Sequence, residues 1–142
     1  MEVQTWFSLV NTIILLPWLL MLLVPKWKGT QTLIYSYVFQ LLLGVLYLVW
    51  FVMNLSDFDM EAFSEIDKLA LAFSNPQLAF IGWIHYLAFD LFVGAWILKD
   101  GHAKQIAHWK LVPCLLFSFM MGPIGLLLYL GLRASVKPQL AK

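Results

Sequence analysis

The chain has 142 residues, of which 62% are hydrophobic and 12% charged, with a formal net charge of +1 and a single cysteine. Soluble globular domains carry about 25% charged residues, so this composition excludes a soluble domain and indicates one integral membrane domain. The near-neutral charge offers nothing to a nucleic acid, and lone Cys114 excludes both an intramolecular disulfide framework and a cysteine-cluster metal site.

The first apolar segment covers about 5–24 and ends at Pro25-Lys26-Trp27-Lys28-Gly29. It lacks the basic leader and small-residue cleavage site of a signal peptide, and it is not an Arg/Ser-rich transit peptide. It is therefore expected to be a retained membrane helix. Further spans are expected at about 33–53, 78–98 and 111–132. Each approaches the ~20 residues needed to cross the hydrocarbon core. Trp6, Trp27, Tyr35, Trp109 and Tyr129 lie near span ends, where interfacial aromatics belong.

The long connection between the second and third spans repeats Phe63, Ile66, Ala70 and Phe73 at helical spacing, with Glu61, Glu65 and Lys68 opposite. That pattern predicts a short amphipathic helix at the membrane surface. Asn75-Pro76 then reads as the cap and first residue of the third helix. The expected architecture is an all-α four-transmembrane-helix bundle with one interfacial helix. In that topology the loops after helices 1 and 3 carry five Lys/Arg, and the opposite side carries Lys68, Arg133, Lys137 and Lys142. The difference is small and places both termini weakly outside.

The third span contains two ionisable residues, His85 and Asp90. Such groups are costly at membrane depth and mark functional interiors. At ~100° per residue, His85, Phe89, Gly82, Val93, Tyr86, Ala79 and Asp90 share one arc, predicted to face inward. Leu87, Phe80, Leu98, Leu91, Ile84, Ala95, Ala88 and Ile81 form the other arc, predicted to face lipid. Being five residues apart, His85 and Asp90 flank one inner face rather than pair directly. Polar and small residues also line up in the other spans, among them Asn11 and Trp18, Gln40 and Tyr47, and Ser118 with Tyr129. Pro17 and Pro123 lie inside predicted spans and each frees a carbonyl. Cys114 reads as a small core residue, and His102 and His108 as solvated loop residues. No metal site is expected.

The stretch GWIHYLAFDLFVGAWILKDG (Gly82–Gly101) resembles the signature of the neoxanthin-synthase-like, abscisic-acid-deficient-four-like family of small membrane proteins. Asn11, Trp18 and Pro25, and PCLLFSFMMGPIGLLLYL (Pro113–Leu130), support the resemblance. It implies chemistry on carotenoids, in which an epoxide opens to an allenic alcohol. Such a step wants an acid at the epoxide oxygen and a base at a polyene proton. Asp90 and His85 are the candidate catalytic pair, and no cofactor is demanded. The candidate ligand-contacting residues are Asn11, Trp18, Gln40, Tyr47, Gly82, Trp83, Tyr86, Phe89, Ser118 and Tyr129. The expected partner is a membrane lipid or carotenoid-like molecule, with a homo-oligomer possible. The short termini suggest the cytoplasmic (inner) membrane of a bacterium. Two rival readings are an oligomeric proton-coupled or small-solute transporter and a non-catalytic carotenoid-binding subunit.

Overall fold

A computed structural model describes residues 2–136. Lys137 and Lys142, counted above among the C-terminal charges, lie outside the described residues. Within them the chain is all-α, with no strand. Three helical stretches are long and apolar enough to cross a membrane: Val3–Leu23, Lys28–Met53 and Pro76–Ala103. The first is α1, which runs through Pro17 and buries that ring. The second is α2 (Lys28–Tyr35) and α3 (Val38–Met53), joined where Tyr37 adopts φ 56°.

Two short 3-10 turns, Leu55–Asp57 and Met60–Phe63, follow, and then α4 (Ile66–Phe73). The third spanning helix is α5 (Pro76–Ala103). It starts as its sequence dictates. Asn75 Oδ1 accepts from the amide of Gln77 at 2.9 Å, and Pro76, which has no N–H to orphan, takes the first position. With 28 residues it is about 42 Å long, and it is the hub: α3, α6 and α1 all pack against it.

The expected fourth span is not one helix. It divides into α6 (His108–Met121) and α7 (Pro123–Ser135) at Gly122, which has φ 37°. Proline lacks the N–H that would continue α6, and glycine alone enters this backbone region without strain. Pro123 therefore opens a new helix instead of kinking the old one. α7 folds back along α6: any side chain on Gly125 would collide with the backbone of Ser118 and Cys114. At its far end Arg133 Nε donates to Asp100 Oδ2 at 2.8 Å, and the Tyr129 hydroxyl donates to the same oxygen. Their common acceptor, Asp100, sits at the C-terminal end of α5, close to where α6 begins.

The facing of α5 also departs from the expectation, although Asp90 of the expected inner arc is buried. Phe80, Ile81, Ile84, Leu87, Leu91, Ala95 and Leu98 are buried against neighbouring helices, while His85 and Phe89 are exposed. In lipid no hydrophobic force separates aliphatic from mixed faces, so helices associate by fit and hydrogen bonding. The aliphatic face of α5 is the one that fits.

Candidate functional site

The connection after α3 folds over the first turns of α5 and encloses a cavity of about 310 Å³. Tyr47 of α3 and Leu78, Ile81, Gly82 and His85 of α5 form its floor and one side. Phe58, Asp59, Ala62 and Phe63 from the turns, and Leu69, Ala72 and Phe73 from α4, form the roof. Local sequence explains the roof. Asp59 Oδ1 accepts from the Glu61 amide at 2.8 Å and closes the second turn. Phe51, Phe58 and Phe63 pack in series, edge-on at 5.0 Å and tilted at 5.6 Å, and tie the segment to the end of α3. Gly82 admits the Phe73 ring, whose Cε1 would lie 2.7 Å from a Cβ placed there.

His85 is the floor's one imidazole, flanked by the rings of Phe89 at 4.7 Å and Tyr47 at 6.0 Å. The cavity thus offers aromatic walls, one imidazole and one carboxyl, Asp59. Among the sequence-predicted residues it gathers His85, Tyr47 and Gly82.

Asp90 is elsewhere. It lies near the middle of α5, buried, against the tip of the α6–α7 hairpin, where Oδ1 would be 2.5 Å from a Cβ on Gly122. Its Oδ2 has no hydrogen-bond partner. The Tyr86 hydroxyl beside it donates to the Met120 carbonyl at 3.4 Å. The expected common space for His85 and Asp90 is therefore absent: one borders the cavity and the other supports the hairpin.

The remaining candidates tie helices together. Asn11 accepts from Trp83 Nε1 at 2.8 Å, and Trp83 stacks on Tyr86 at 5.4 Å. Trp18 packs on Phe119 at 5.2 Å and covers Gly94. Gln40 Nε2 donates to the Leu91 carbonyl at 3.1 Å. Ser118 is buried under Gly125. Tyr129 bonds Asp100. Nor are His102 and His108 solvated as expected. Tyr35 Oη pairs with His102 Nδ1 at 2.9 Å, and His108 Nε2 donates to the Leu22 carbonyl at 3.0 Å. Together they lock the ends of α1, α2, α5 and α6. Among the described residues no group of three or more His, Cys, Asp or Glu could hold a metal ion.

Sequence reasoning missed the roof residues Phe58, Asp59, Ala62, Leu69 and Ala72. The amphipathic repeat in 63–73 was the available signal, since an apolar face over the membrane surface needs something to cover.

Comparison with known proteins agrees with the resemblance read from Gly82–Gly101. A plant protein, "Protein ABA DEFICIENT 4, chloroplastic" of Arabidopsis thaliana, is 29% identical over 141 residues, covering 94% of this chain. The chain spans 62% of that relative's length. Because this relative is chloroplastic, the expectation of a bacterial inner membrane is overturned. No solved structure matches. The family model described as ABA DEFICIENT 4-like matches residues 5–129, and the chain belongs to that ABA4-like family.

Proposed function

We propose that the protein binds one end of a carotenoid or related isoprenoid in the His85 cavity and isomerises it within the membrane. The observation that carries this reading is the cavity itself: aromatic and aliphatic, about 310 Å³, with one imidazole at the floor and one carboxyl at the rim. That size is at the low end of ligand pockets, about 300–1,000 Å³. It suits a terminal ring, with the polyene lying along lipid-exposed Phe89 and Phe92. Membership of the ABA4-like family supports a carotenoid-related role.

In this reading α4 lies at the membrane surface as a roof, with Ile66 and Leu71 turned outward at 77% and 73% exposure. The chemistry is intramolecular. His85 hands a proton to the epoxide oxygen as its C–O bond breaks, and the Asp59 carboxylate removes a proton from the adjacent polyene carbon. One proton enters and one leaves, so the product is an isomer and no cofactor is consumed. Asp90 supports the hairpin tip and takes no part.

Purification in mild detergent followed by mass spectrometry of bound lipids tests the binding. A polyene or isoprenoid is expected in the wild type and is lost on Gly82→Leu. Incubation with an epoxycarotenoid tests the reaction. His85→Ala and Asp59→Asn are expected to abolish conversion while Asp90→Asn retains it. Bound pigment without conversion in any variant would leave a carotenoid-binding subunit.

A further inference from the structure

The folding-back of α7 changes which charges share an end of the molecule. α6 and α7 have 14 and 13 residues, about 20 Å each, well short of a hydrocarbon core of about 30 Å. Their tip, Gly122, meets Asp90 near the middle of α5, and their return is fastened by Asp100 to Tyr129 and Arg133. The pair enters and leaves by the same end.

Lys26, Lys28, Lys99, Lys104, Lys110 and Arg133 therefore share one end of the molecule, with Asp100 the one described acid there. Lys99 lies over the rings of Tyr35 and Tyr37 at 5.8 and 5.6 Å, and Lys110 lies 5.4 Å over Trp109. Ammonium groups set against tyrosine and tryptophan are the arrangement of a headgroup zone. The opposite end carries Glu2, Asp57, Asp59, Glu61, Glu65 and Asp67. Its one described cation, Lys68, is held by Glu65 at 3.0 Å and Glu61 at 3.8 Å.

We infer that α6–α7 is a re-entrant hairpin and that the basic end stays on the side from which the protein is inserted, against that leaflet's anionic headgroups. Among the described residues, six cations against one is a decisive bias under the positive-inside rule, where a four-span path leaves the sides nearly balanced. The N-terminal segment and the acidic connection then lie on the far side. Resting on the proposed function, the His85 cavity, roofed by that connection, takes its ligand from the far leaflet.

The test is one-sided labelling in right-side-out and inverted membrane vesicles with a membrane-impermeant maleimide. Cys114 is buried. Ser64→Cys and Ser135→Cys each add one exposed thiol, and Lys104→Cys adds a half-buried one where α5 ends. Lys104→Cys and Ser135→Cys are expected to label from the insertion side, and Ser64→Cys from the opposite side. Ser135→Cys labelling from the same side as Ser64→Cys would mean that α6–α7 crosses, and would overturn the proposal. So would Ser64→Cys labelling from the insertion side. The readout needs no ligand, so its failure leaves the cavity reading standing, and failure of ligand binding leaves the orientation standing.

Discussion

Gly122 and Asp90 show how one residue's backbone decides another's surroundings. At φ 37° and ψ −88° Gly122 occupies a region that strains any L side chain, and a Cβ there would press on the Asp90 carboxyl. Gly122→Ala is expected to cost about 1–3 kcal/mol, read as a lower thermal midpoint in detergent by tryptophan fluorescence. Adding Asp90→Ala should recover part of that loss by removing the clash, though not the backbone strain. At Gly82 the consequence is local. The Gly82→Leu side chain displaces Phe73 into the cavity, so ligand should be lost with little change in thermal midpoint. Both positions were singled out in the sequence, Gly82 for the family signature and Asp90 for its charge at membrane depth. The sequence did not reveal that Asp90 meets a glycine turn, because that contact joins residues 32 positions apart.

At the scale of elements, the hairpin depends on Asp100, which accepts from both Tyr129 and Arg133. Tyr129 is fully buried, whereas Arg133 is exposed. Asp100→Ala should therefore act mainly through Tyr129, leaving a buried hydroxyl unpaired at about 1–3 kcal/mol. Arg133→Ala should act weakly, as exposed ion pairs do. Limited proteolysis after Ser135 and thermal melts of both variants check the order. At the same end Tyr35→Phe removes the partner of His102 and should cost about 1 kcal/mol, measured in the same melts. The spans at α1, α3 and α5 were legible, since unbroken apolar runs have no other stable form in lipid. The break in the fourth was written in Gly122-Pro123, but glycine and proline are also tolerated inside true spans. Local sequence alone therefore does not separate a kink from a reversal.

For the whole molecule, α5 is a central post rather than one wall of a symmetrical bundle. α1 and α3 pack against it and leave between them an apolar groove lined by Trp6, Val10, Ile13, Phe39 and Leu43. The hairpin takes a further side, and the acidic connection covers the first turns. This asymmetry separates a basic end, locked by His102 and His108, from an acidic end that holds the cavity. Removing the roof's anchor should expose the consequence. Phe58→Ala breaks the ring series between α3 and the turns, and it is expected to weaken ligand retention more than thermal stability. Ligand recovered after gel filtration, set beside the thermal midpoint, measures the two effects separately.

The sequence alone determined the membrane class, the three long spans, the cap at Asn75-Pro76 and the family, because length, apolarity and local motifs act over short stretches of chain. It also marked His85. Only the tertiary structure decided which face of α5 is buried, that the fourth apolar segment reverses, and that His85 and Asp90 serve different places. The reason is physical. In water, apolarity distinguishes inside from outside, but lipid is as apolar as leucine, so helix facing is settled by shape and hydrogen bonding between distant segments.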